Sequence, residues 1–152
     1  MRVLFVFGKE EDLFSFILSV FRDIRHSSTP LARWTDFHNA DVTMIRFFPE
    51  KPGCIVSSSI DGLLCRSNFD ALLAPTEEST LQSVIQTGCP IDCFNFVPIS
   101  TAPDMTAVIS PMRTAALVQL DQEEVILHLG DIRDKINSDV DIVSICSNPS
   151  TD

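Results

Sequence analysis

The chain has 152 residues, 45% apolar and 21% charged, a globular composition long enough for one domain to bury a core without disulfides or metals. Its formal charge is −10 and no basic run offsets it. That field disfavours a phosphate backbone or an anionic membrane surface as partner. Eleven phenylalanines stand beside one tryptophan and no tyrosine. Rings without a hydroxyl to satisfy are expected to fill the core, and any left exposed would anchor a partner.

The apolar start, Val3 to Phe7, is cut off by Gly8-Lys9-Glu10-Glu11-Asp12 too early for a secretory signal, and no stretch approaches the roughly 18 apolar residues of a membrane span. The cysteines, Cys54, Cys65, Cys89, Cys93 and Cys146, are odd in number. Reduced thiols and a cytoplasmic location are expected.

In chain order, residues 2–7 read as a buried strand. Glu11 to Arg25 reads as a helix, with Leu13, Phe14, Ile17, Phe21 and Ile24 on one face. Its end carries the densest bases, Arg22, Arg25 and His26, where cations suit the helix dipole. Val42 to Phe48 and Cys54 to Ser58 read as a hairpin, with Pro52-Gly53 at the centre of a type II turn. Asp61-Gly62 marks another turn, and Ala71 to Ala74 a short strand. A second helix is expected after Thr76, with Leu81, Val84 and Ile85 inside and Gly88 and Pro90 beyond its end. Ile91 to Val97 and Thr106 to Ile109 read as strands. Thr114 to Leu120 fits a strand or a helix and is read as a strand.

Asp121-Gln122-Glu123-Glu124 has capping-box spacing and opens a third helix, with Val125, Leu129, Ile132 and Ile136 inward. Val140 to Cys146 closes the chain as a strand. The expected fold is α/β: a mixed sheet flanked by three helices in a single three-layer domain over residues 1–147, with a flexible C-terminal tail at 148–152. No internal repeat is apparent.

The chemistry is mostly negative. Gly8 is the only glycine between the first strand and helix, so no dinucleotide or phosphate loop can be written. Each expected helix begins with acids (Glu10-Glu11-Asp12, Glu77-Glu78, Asp121 with Glu123-Glu124), which stabilise its dipole and repel phosphate. Glu10, Glu11 and Asp61 could supply oxygen ligands to a divalent cation, but acids at helix starts more commonly act as caps. Cys89 and Cys93 form C-x₃-C and Cys54 with Cys65 a second pair. The common zinc pattern is tighter, a repeated C-x₂-C, and no histidine falls at H-x₃₋₅-H spacing, so no metal site is assigned. His38, in a polar loop between Asp36 and Asp41, is the best catalytic candidate. It falls short of a constellation, and no catalytic residue is assigned.

One stretch, Asp70-Ala71-Leu72-Leu73-Ala74-Pro75-Thr76, resembles the strand and loop of macro domains. Ser59-Ile60-Asp61 lies about where that family carries Gly-Asp-Ile, and Val108 to Arg113 is similar to a later strand and its exit. The resemblance implies binding of ADP-ribose or a related nucleotide derivative near Asp61, Ala74, Pro75, Thr76 and Arg113. It departs where the family would contact ligand: Thr76 replaces the loop asparagine, and Glu77-Glu78 a glycine-rich loop. Two functions are therefore expected from the sequence. The first is a non-catalytic protein–protein interaction or assembly module with a protein partner or a second copy, needing no cofactor. The alternative is a macro-like small-molecule binder or hydrolase.

Overall fold

The computed structural model describes residues 3–8, 18–23, 32–34, 37–49, 51–68, 81–97 and 101–136. These residues form antiparallel sheets, where a mixed sheet covered by helices was expected. Strands β1 (Val3–Gly8), β2 (Leu18–Asp23) and β3 (Ala32–Trp34) make a three-stranded sheet in sequence order. Strands β4 (Val42–Phe47), β5 (Cys54–Ser59), β6 (Leu63–Asn68) and β7 (Leu81–Gln86) make a four-stranded meander. A second meander contains β8 (Cys93–Phe96), β9 (Met105–Ile109), β10 (Thr114–Gln119) and β11 (Glu124–Asp131). The one helix among the described residues, α1 (Ile132–Ile136), is a single short turn. None is long and apolar enough to cross a membrane.

Each expected helix fails for a local reason. In β7, Leu81, Ser83 and Ile85 point inward while Gln82, Val84 and Gln86 point out, a period of two. Leu81, Val84 and Ile85 fit a helical stripe only if Ser83 is assumed exposed, yet Ser83 is buried and Val84 is not. The proposed capping box at Asp121 lies in the turn between β10 and β11, where Glu123 takes φ 56°, outside helical space. Gly130, at φ 67°, sits at a β-bulge where the register steps from Ala115–Gly130 to Ala116–His128. Only Ile132 and Ile136 of the expected inward stripe are helical. In the first segment, Leu18–Asp23 pairs with β1 through Phe5–Phe21 and its neighbours. The expected strand at 71–74, the strand at 140–146 and the tail at 148–152 lie outside the described residues.

The hairpin readings fared differently. The Cys54 amide donates to the Lys51 carbonyl at 3.0 Å and Gly53 has φ 77°, the type II geometry expected of Pro52-Gly53. Strands at β4, β5, β8, β9 and β10 also fall where the sequence placed them.

The two meanders pack on a common core. Val56, Leu64 and Ile85 come from the first, and Phe94, Phe96, Val108, Ala116 and Val118 from the second. Phe48, Ile91 and Leu120 join them from the connections. Phe96 lies 5.0 Å from Phe48 and 5.5 Å from Phe94, tilted and edge-on respectively, the offset arrangements aromatic rings prefer. Three of the eleven phenylalanines thus knit one sheet to the next.

The sheets are also a repeat that was not seen in the sequence. β1 opens at Val3, β5 at Cys54 and β9 at Met105, each 51 positions after the last. β6 and β10 open at Leu63 and Thr114, again 51 apart. Few residues are shared across the offset, which is why pattern reading passed over it.

Gly62 shows how tightly the units are joined. It has φ 83°, and a β-carbon there would lie 2.9 Å from the Cys89 carbonyl oxygen in the connection to the second meander. Gly62→Ala should therefore destabilise the chain by about 2–3 kcal/mol, combining left-handed strain with displaced backbone. Urea unfolding of the two proteins measures it. A change under about 0.5 kcal/mol would show that the turn relaxes freely.

Candidate functional site

The turn between β5 and β6 gathers more long-range hydrogen bonds than any other described connection. Ser59 Oγ accepts from the Asp61 amide at 3.1 Å, and the Gly62 amide closes on the Ser59 carbonyl at the same distance. Asp61 Oδ1 accepts from the Leu63 amide at 2.9 Å, while Oδ2 accepts from the Asn39 amide at 2.7 Å. The incoming loop is fixed further by Ile60 N donating to Asp41 O and Ser59 Oγ donating to Ala40 O. The outgoing connection docks on the same turn: the Thr87 amide and hydroxyl both donate to Gly62 O, and the Ile91 amide donates to Ser59 O.

His38 is buried beside this turn. Its Nε2 is 2.8 Å from Ser57 Oγ and its Nδ1 is 3.4 Å from Asp61 Oδ2. A serine, a histidine and an aspartate in that order have the connectivity of a nucleophile, a base and its orienting acid. Their setting is different. His38 and Ser57 are 5% and 2% exposed, and the side chain of Asp61 is 9% exposed. Ser57 lies on β5, buried along its whole length, with Cys65 opposite it on β6. The Cys65 thiol donates to Phe37 O at 3.4 Å. No substrate carbonyl could reach Ser57 Oγ here, so the trio fastens loop 37–41 to the β5–β6 hairpin.

The electrostatics agree. Burial pushes the His38 pKa down, against the raising influence of Asp61's charge and hydrogen bond. Burial, aided by Asp61, pushes the Cys65 thiol up to about 12, so it is no nucleophile at neutral pH. Burial likewise raises Cys54 and Cys93.

The second meander repeats the turn without the polar trio. Ser110 Oγ accepts from Met112 N at 3.1 Å and Ser110 O from Arg113 N at 2.9 Å, as Ser59 does for Asp61 and Gly62. Arg113, at φ 66°, stands where Gly62 stands, and its carbonyl accepts from Ile132 N as Gly62's does from Thr87 N. At the offset of 51, Cys89 replaces His38, Val108 replaces Ser57 and Met112 replaces Asp61. All three polar groups are lost together, as expected for a buried network in which one missing member strands the others.

The opposite ends of the sheets carry charge. Asp121 bridges both units, accepting from Lys51 Nζ at 2.6 Å and Arg66 at 2.5 Å. These partners, Lys51 first, hold its carboxyl below the usual range. Buried Asp104 accepts from the Asp121 amide at 2.8 Å and so fixes the turn. Beside this cluster a cleft of about 410 Å³ opens between the two units. Its walls are Phe47, Phe48, Pro49, Phe96 and Pro103, with Arg46 and Asn95 at the rim. Arg46 donates to Asn95 Oδ1 across the gap between β4 and β8.

The residues singled out in the sequence are dispersed. Asp61 and Arg113 occupy equivalent turns of successive sheets, while Ala74, Pro75, Thr76, Glu10 and Glu11 lie outside the described residues. His38 does have an acid partner, but it is Asp61, 23 positions on, and not Asp41 beside it. Cys54 and Cys65 face Asn68 and Ser57 respectively and do not meet. Cys89 accepts a long contact from Thr114 Oγ1 at 3.9 Å. No group of three or more His, Cys, Asp or Glu among the described residues is arranged to hold a metal. The roles of Ser57, Ser59 and Thr87 were missed, since hydroxyls in strands and turns carry no spacing signal.

No family model matches the chain. It is 34% identical over 71 residues to the WD repeat-containing protein GTS1 of Arabidopsis thaliana, covering 47% of this chain and 18% of that protein. It is 28% identical over 104 residues to the uncharacterized WD repeat-containing protein C63.06 of Schizosaccharomyces pombe, covering 67% of this chain and 30% of that protein. The chain thus spans under a third of either relative. Successive four-stranded meanders at a constant offset are the architecture of propeller blades, to which WD repeats belong. The chain is thus similar to WD-repeat proteins over part of its length, and its antiparallel meanders resemble blades of that kind. Sheets and relatives overturn the macro-domain resemblance, whose strand and loop matched a short motif without the helices that scaffold requires.

The buried histidine gives a testable pH dependence. Its folded pKa is lowered, so the unfolded chain binds the extra proton. Its contribution is complete above the unfolded pKa of about 6.5 and is lost as pH falls toward the folded value, by at most about 1.4 kcal/mol per pH unit. Urea unfolding at pH 7.5 and 5.5 should show this loss in the wild type and a smaller one in His38→Gln. Equal losses in both would assign the pH dependence to other groups. Ser57→Ala, which leaves His38 Nε2 without a partner, should cost about 1–3 kcal/mol at pH 7.5 in the same assay.

Proposed function

We propose that the chain is a non-catalytic protein–protein interaction module, part of a scaffold built from WD-type repeats. The observation that carries this reading is that the Ser–His–Asp constellation found among the described residues lies inside the sheet, where it serves as a fastener. With that trio committed to folding, recognition is left to the loops and cleft that the repeat displays. The WD-repeat relatives support the same reading, because repeated sheets build broad, rigid surfaces suited to partner binding. The chain's acidity favours a protein counterpart over nucleic acid.

Affinity capture with the 152-residue chain from its native source tests the proposal, with light scattering on the purified protein alongside. A defined partner, or a stable self-association, is expected. A serine-directed fluorophosphonate should leave Ser57 unlabelled in the native protein. Stoichiometric labelling of Ser57, or a strictly monomeric chain that retains no protein, would overturn the reading.

A further inference from the structure

We propose that the cleft between the β4–β5 hairpin and the β8–β9 connection docks an extended peptide segment of a partner protein, presenting an aromatic or aliphatic side chain next to a carboxylate. This rests on the interaction reading above and names the chemistry of the partner.

The cleft is built from parts of opposite kinds. Its floor is rigid: Phe48 and Phe96 are 2% and 9% exposed and held 5.0 Å apart by the core beneath them. Its walls include two prolines, Pro49 and Pro103, whose rings fix the backbone and present no N–H to a ligand. Phe47, by contrast, is 43% exposed. Its ring therefore offers apolar surface at the mouth of the cleft, beside the buried Phe48. A volume of about 410 Å³ lies in the range of ligand pockets and accommodates a large side chain with its flanking backbone.

Charge selects the occupant. Among the described residues that line it, Arg46 alone is charged, in a chain whose net charge is −10. The nearby cations Lys51 and Arg66 are both turned to Asp121. Arg46 instead bonds the neutral Asn95, which orients the guanidinium at the rim without neutralising it. An oriented guanidinium beside apolar walls matches a carboxylate adjoining an apolar side chain. The cleft also lies at the ends of β4 and β8, each the edge strand of its sheet. That placement suits an extended segment better than a compact ligand. A polyanion would meet the acidic body around one cation, so one or two acids fit where a nucleic acid does not.

Fluorescence anisotropy on the full chain tests this with three fluorescein-labelled nonapeptides in a Gly-Ser background. One carries a central Phe followed by Glu-Glu, the second Phe followed by Lys-Lys, and the third Ala followed by Glu-Glu. The first should bind at least about tenfold more tightly than either of the others. Arg46→Glu should reverse the preference between the acidic and basic peptides, and Phe47→Ala should weaken the first peptide by about tenfold. Thermal melting of each variant separates lost binding from lost folding. Equal binding of the acidic and basic peptides overturns the proposal, as does no saturable binding up to about 1 mM or indifference to Arg46→Glu. Self-association abolished by Arg46→Glu would assign the cleft to a second copy and overturn it too. A partner captured equally well by the wild type and the Arg46→Glu/Phe47→Ala double variant would leave the interaction reading standing and remove only the cleft.

Discussion

The turn at Ser59 to Leu63 is the constraint on which the described structure depends. Gly62 holds a left-handed conformation that frees its carbonyl to accept both donors of Thr87, while Asp61 spans its own turn and the amide of Asn39. The strand entering the first meander and the connection leaving it are thereby anchored to one hairpin. A side chain at Gly62 would collide with the backbone of that connection. This turn therefore sets the spacing between one sheet and the next, and the shared phenylalanine core forms across the gap it defines.

The two meanders show how such a turn tolerates change. In the second, Ser110 keeps the Ser59 role, but Arg113 occupies the left-handed position and Met112 replaces the aspartate. The histidine and serine equivalents become Cys89 and Val108. Replacing any one polar member of the first trio would strand buried donors or acceptors at a cost of a few kcal/mol, whereas replacing all three removes the need for partners. The same reasoning separates this trio from a catalytic one. Hydrogen-bond order alone does not make a nucleophile; access is also needed, and burial denies it.

The two ends of the sheets consequently differ in character. At the turn end polar side chains are consumed in joining segments of the chain. At the hairpin end Asp121 ties Lys51 and Arg66 across the units, and a further cation, Arg46, lines an apolar cleft. The second end presents an apolar cleft with an exposed guanidinium beside it, the surface proposed above for recognition.

How much of this was legible in the residues depended on range. Pro52-Gly53 and Asp61-Gly62 were readable as turns because their chemistry acts over four residues, and β4, β5, β8, β9 and β10 because runs of β-branched and apolar residues favour strands. The apolar pattern over 81–86 and 124–136 was not decisive. Leu81, Val84 and Ile85 satisfy a helical stripe, and only the neighbouring sheet shows that Ser83 is inside and Val84 outside. The Asp121 cap looked sound because the same acids serve turns. In the candidate site, His38 was noticed, but its partners Ser57 and Asp61 come from a hairpin some twenty positions away. The acidic charge, the apolar core former Phe, the tight turns and most hairpin strands were thus determined by sequence alone, since each rests on local or additive physics. The all-antiparallel sheets, the 51-residue offset, the fastener at His38 and the cleft at Arg46 were decided by tertiary structure. They depend on hydrogen bonds and packing between segments whose register no local pattern specifies.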